Sequence, residues 1–131
     1  KMKRFKRTLA LSMLLILALS TSVFAGYTSG RTSGGASGIQ KYCEGWCDWN
    51  WSKTKALAAT VTECDGMAYA TGKIYYTGGG YVGMDSVSAT GQVATPYRSV
   101  PSGKYIVRIT GSHRVTSTDY GNWSGYSNYT L

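Results

Sequence analysis

Between Lys104 and Thr116 the chain reads KYIVRITGSHRVT, and its apolar and polar positions alternate with a period of two. Tyr105, Val107, Ile109, Gly111, His113 and Val115 fall on one side. Lys104, Ile106, Arg108, Thr110, Ser112, Arg114 and Thr116 fall on the other. Successive side chains of a strand point to opposite faces, so the pattern predicts a long, half-buried strand with one mostly polar side. SVSATGQV repeats the period, setting Val87, Ala89, Gly91 and Val93 against Ser86, Ser88, Thr90 and Gln92. Turn residues punctuate the rest. Asp65-Gly66, between LAATVTEC and MAYATGKIYYT, is a two-residue hairpin signal. Gly78-Gly79-Gly80 divides the next pair of strands, and Pro101-Ser102-Gly103 opens the long one. Thr118 to Asn122 turns the chain into WSGYSNYTL. No helical stripe occurs after residue 25. The prediction is an all-β fold: a small antiparallel β-sandwich of five to seven strands, with a small β-barrel as the alternative.

The first 25 residues follow a different pattern. Lys1, Lys3, Arg4, Lys6 and Arg7 precede an apolar run from Leu9 to Leu19, and Val23-Phe24-Ala25 offers a small-residue cleavage site. That order predicts an N-terminal signal helix removed after Ala25, and so a secreted or extracellular protein, in part associated with the cell surface. The run falls short of the roughly 20 apolar residues a spanning helix needs, so no stable membrane insertion is expected after cleavage. Residues 26–39 are dominated by Gly, Ser and Thr and read as a flexible linker. Residues 40–131 read as the β-domain.

Charge and composition change this picture in two ways. Of 14 basic residues, five lie in the signal segment, leaving nine against six acids, so the exported chain is about +3 rather than +8. Mild positive charge suits an anionic envelope, not nucleic acid, which is not expected as a partner. Both phenylalanines, Phe5 and Phe24, also lie in the signal; every later aromatic is one of eleven Tyr or four Trp. These rings carry a polar handle and suit half-wet positions.

Unusual chemistry concentrates in KYCEGWCDWNWSK, Lys41 to Lys53. Cys43, Cys47 and Cys64 are disulfide candidates, and a bridge from Cys64 to Cys43 or Cys47 is expected in an exported protein. One cysteine is then left for a second chain, giving a disulfide-linked dimer. Cys-x-x-x-Cys on a β background is not a redox motif, and no second ligand pair at finger spacing accompanies the only histidine, His113. No metal or cofactor is therefore expected. His113, on the apolar side of its strand, reads as a hydrogen-bonded core residue. Trp49 and Trp51 are spaced to share a strand face, with Trp46 in the cysteine loop and Trp123 and Tyr126 near the other end. Indole and phenol rings beside Asp, Asn and Ser are what sugar binding uses: rings stack on C–H faces while polar groups meet hydroxyls.

Without a serine–histidine–acid or paired-carboxylate spacing, no catalytic residue is assigned and the chain reads as non-enzymatic. The leading expectation is a secreted binding module that contacts cell-wall or surface polysaccharide through Trp46, Trp49, Trp51, Trp123 and Tyr126. Cationic Lys104, Arg108 and Arg114 on the long strand would assist on an anionic wall. A small secreted bacteriocin-like antagonist and a disulfide-linked structural surface protein are the alternatives. NWSGYSNY, Asn122 to Tyr129, faintly resembles a Trp-to-Ser-Asn-Tyr segment of the lactococcin-type β-sandwich bacteriocins. It covers eight residues and lies at the opposite end of the mature chain from its place in that family, so no kinship is claimed on it.

Overall fold

The computed structural model describes residues 27–131. The signal-peptide reading of residues 1–25 lies outside them. In chain order the strands are β1 (Thr28–Arg31), β2 (Tyr42–Trp49), β3 (Lys55–Thr62), β4 (Met67–Tyr76), β5 (Tyr81–Gly83), β6 (Val87–Thr90), β7 (Gln92–Ala94), β8 (Arg98–Ser99), β9 (Ile106–Thr116) and β10 (Trp123–Thr130). They form two antiparallel five-stranded sheets. The first runs β1-β2-β3-β7, with β8 also on β3; the second runs β10-β9-β4-β5, with β6 also on β4. The described residues contain no helix, and neither sheet closes into a barrel.

Ten strands replace the five to seven expected, because short edge pieces were not separable by alternation alone. SVSATGQV is one such case. Gly91 adopts a positive φ of 79°, and there the chain leaves the second sheet, where β6 pairs β4, for the first, where β7 pairs β3. Asp65-Gly66 does not close a hairpin either: β3 and β4 belong to opposite sheets, and the segment crosses between them. Gly66 is required for that passage, since a Cβ there would sit 2.8 Å from the Thr116 carbonyl oxygen.

Residues 28–38 are also not a tether. β1 pairs with β2 from Thr28↔Gly45 to Arg31↔Tyr42. Beyond it, Gly34 N donates to Tyr120 O (2.7 Å), Ala36 N to Thr118 O (3.0 Å) and Ser37 N to Asp119 O (2.8 Å). The small residues that suggested freedom instead permit close backbone packing: a Cβ on Gly35 would lie 2.4 Å from Gly121 N.

The long strand faces as read over Ile109, Gly111, His113 and Val115, which are buried between the sheets. A register irregularity at Tyr75/Tyr76 shifts the alternation at its start. Ile106 therefore points inward, while Tyr105 and Val107 are exposed. The main inter-sheet cluster is built from small side chains and a few large ones, including Cys47, Ala56, Ala58, Ala70, Ile74, Ile109 and Tyr129. A second holds Cys43, Cys64, Ala68 and Val115. On the other side of the first sheet, Trp46, Ala59 and Val61 pack with Tyr27 and Leu57.

Candidate functional site

Antiparallel registry lines up two rows of side chains on the solvent side of the second sheet. Tyr126, Ser112 and Thr71 form one row across β10, β9 and β4. Ser124, Arg114, Tyr69 and Ser88 form the next, reaching β6. The small hydroxyl residues leave a depression between larger neighbours, a groove of about 560 Å³. That volume lies within the range of small-molecule and saccharide sites. Tyr126 stands at one wall, 75% exposed. At the other, the Arg114 guanidinium lies 4.2 Å from the centroid of the Tyr69 ring.

The same face continues the pairing of cations with phenols. Arg108 lies 5.0 Å from the Tyr75 ring and Lys73 5.2 Å from Tyr81, whose ring meets Tyr75 at 5.9 Å between centroids. Arg108 Nε also donates to Asn128 Oδ1. Each of these cations rests its charged head over a phenol ring, so the face is cationic and partly apolar at once. None of the outward positions of β4, β9 and β10 is acidic. Arg108 and Arg114 were visible in the sequence as cations on the polar side of the long strand. Tyr69, Thr71, Lys73 and Tyr75 were missed, although MAYATGKIYY places them on one face of β4 by its own period of two.

Beneath the groove, on the inner side of the sheet, a polar chain joins the two layers. Thr60 Oγ1 donates to Tyr69 O (2.7 Å), so it accepts from His113 Nδ1 (2.9 Å). His113 Nε2 is then the acceptor for Ser127 Oγ (2.7 Å), which in turn accepts from Cys47 Sγ (3.3 Å). Burial holds His113 well below its ordinary value, at about 4, so the ring is neutral. Ser127 and His113 thus meet in space, with a threonine in place of a carboxylate on the second nitrogen. His113 is 2% exposed, and Ser127, Cys47 and Thr60 are equally enclosed. The arrangement stitches the sheets together.

The three cysteines are free and buried. The expected bridge is not formed: all three thiols are free, and Cys43 Sγ (3.3 Å) and Cys64 Sγ (3.2 Å) both contact Thr62 Oγ1. Cys47 belongs to the other core cluster, against Ser127. Desolvation pushes the Cys43 and Cys47 thiols up to about 12. None of the three lies at the surface, where a second chain would have to find it. Among the described residues no group of three or more His, Cys, Asp or Glu side chains converges as metal ligands would.

The aromatic residues singled out in the sequence do not gather into one platform. Trp46 is buried on the far side of the first sheet. Trp49 is half-buried and meets Tyr129 edge-on at 5.2 Å. Trp123 is half-buried against Cys43, Cys64, Ala68 and Val115. A Cβ on Gly30 would lie 2.5 Å from its Nε1. Trp51 is fully exposed, but β2 ends at Trp49 and Trp51 sits in the following turn, so the two indoles do not share a face. Of the five, only Tyr126 lines the groove. Comparison with protein-family models, with curated proteins and with solved structures found no match to this chain.

Proposed function

We propose that this chain is an exported, non-enzymatic β-sandwich module that binds a cell-envelope or surface glycan through the groove between Tyr126 and the Arg114–Tyr69 pair. The observation that carries this reading is the make-up of the groove. One exposed phenol provides a flat ring for a sugar's C–H face, Ser88, Ser112, Ser124 and Thr71 provide hydroxyl partners, and a stacked guanidinium stands opposite. The surrounding Lys73, Arg108 and Arg114, with no acid on the outward strand positions, favour an anionic polysaccharide over a neutral one. A sheet face is rigid, so binding does not require ordering of the site, which suits weak multivalent contact with a repeating polymer.

The test is retention on peptidoglycan and on acidic and neutral polysaccharides. Retention on an acidic polymer should fall about tenfold in both Tyr126→Ala and Arg114→Ala, with circular dichroism unchanged, and should weaken as salt rises. Equal retention of both variants and wild type would remove the groove from consideration.

A further inference from the structure

A second surface is built at a different place, around the turn between β2 and β3. We propose that it docks the protein onto an anionic lipid bilayer, with Trp51 entering the headgroup region. Trp51 is fully exposed, and its exposure is held in place. Asn50 Oδ1 accepts from Thr54 N (2.8 Å) and Lys55 N (3.0 Å), while Asn50 Nδ2 donates to Ser52 Oγ and Thr54 Oγ1. Lys53 N closes the turn onto Asn50 O (3.0 Å), and Lys53 itself takes a positive φ of 56°. The chain leading into β9 and the first residue of that strand support the turn: Val100 N donates to Thr54 O and Ile106 N to Lys53 O. So ordered a loop fixes the backbone from which the indole projects into solvent.

The neighbours of Trp51 supply the rest of an interfacial anchor. Tyr97 and Tyr105 are exposed large aromatic residues at the same end. Lys55 lies 5.1 Å from the Tyr97 ring. Lys53 and Lys55 stand in and just after the turn, and the nearby carboxylate, Asp48, is bonded by Trp49 N and by the Tyr97 hydroxyl. Trp and Tyr concentrate at the membrane–water boundary because one end of each ring is apolar and the other is wet, and cations beside them meet anionic headgroups. Among the described residues no helix is long and apolar enough to cross a membrane. The sheet face with the groove points elsewhere, so the two surfaces are separable by mutation.

The experiment uses the exported protein with vesicles of phosphatidylcholine alone or mixed with phosphatidylglycerol. On mixed vesicles, tryptophan emission should shift to the blue and be quenched by bromine-labelled lipid chains. Trp51→Ala should remove both signals and weaken co-sedimentation about tenfold; Lys53→Gln with Lys55→Gln should do the same, since each cation near the surface is worth several-fold in binding. Trp51 is fully exposed, so its loss leaves the fold intact, which circular dichroism checks. Tyr126→Ala should bind vesicles as wild type does. Equal binding of Trp51→Ala and wild type, or no blue shift on anionic vesicles, would overturn the proposal. So would a Trp51→Ala variant that loses retention on polysaccharide while still binding vesicles as before.

Discussion

Gly45 lies on the inner side of β2, opposite Thr60, and its missing side chain is what admits the His113 ring. A Cβ at this position would stand 2.1 Å from His113 Cγ. Gly111 does the same from the other sheet, since a Cβ there would lie 2.5 Å from Ser127 Oγ and 2.6 Å from His113 Nε2. The glycine inside CEGWC is therefore a packing requirement of a histidine 68 positions later in sequence order (Gly45 to His113). Gly45→Ala overpacks the interface and disturbs a buried hydrogen-bond chain together. Overpacking alone costs about 1–3 kcal/mol, and an orphaned buried polar group costs a similar amount. The expected loss in unfolding free energy is about 3 kcal/mol or more, read from urea denaturation. Gly83→Ala is the control: nothing lies within 4 Å of a Cβ there and its φ is not positive, so stability should stay within about 0.5 kcal/mol.

At the scale of elements, the chain from Cys47 through Ser127 and His113 to Thr60 links β2, β10, β9 and β3 and requires a neutral imidazole. His113 titrates at about 4 in the fold, against about 6.5 when unfolded. Below 6.5 the unfolded chain takes up a proton that the folded one refuses, so stability is full above that pH and is lost as pH falls toward 4. The loss should reach about 2 kcal/mol between pH 7 and pH 5 and about 3 kcal/mol at its limit. Urea midpoints at the two pH values test it, and His113→Gln should flatten the dependence in that window. Much of this arrangement was legible before any coordinates: alternation alone turned His113 inward and Arg108 and Arg114 outward. The partner of each strand was not legible, because a period of two states which residues share a face and not which sheet the face belongs to. Asp65-Gly66 and Gly91 both look like features within one sheet and are crossings between two. Trp49 and Trp51 keep strand spacing on paper, but the Asn50 side chain captures the backbone at Thr54 and Lys55 and ends the strand between them. The groove was half visible, through Tyr126 and the cations of β9, because its other wall comes from β4 and needs the pairing of Tyr69 with Arg114.

For the molecule as a whole, the fate of the thiols follows from where the core sits. Cys43 and Cys47 are fully enclosed between the sheets and Cys64 nearly so, and enclosure acts twice. It blocks the approach of a reagent, and it raises the Cys43 and Cys47 thiols to about 12, which leaves about one in ten thousand ionised at pH 8. Only a thiolate attacks a disulfide or an alkylating agent, so in the folded state neither group reacts at a useful rate. An oxidising environment can then leave them reduced, and no external thiol is offered for chain-to-chain cross-linking. Two core clusters separated along the same pair of sheets hold these residues, and neither opens without parting the layers. Labelling should therefore follow global unfolding, with a dependence on urea that matches the slope of the equilibrium melt. Intact mass after iodoacetamide at pH 8 should show no adduct on the native protein and three on the protein in urea. A single adduct in urea, with Cys43 and Cys64 recovered as one linked peptide, would mean that these two thiols pair before the sheets enclose them. Adducts on the native protein would mean that the sheets part locally, well below the cost of unfolding the whole.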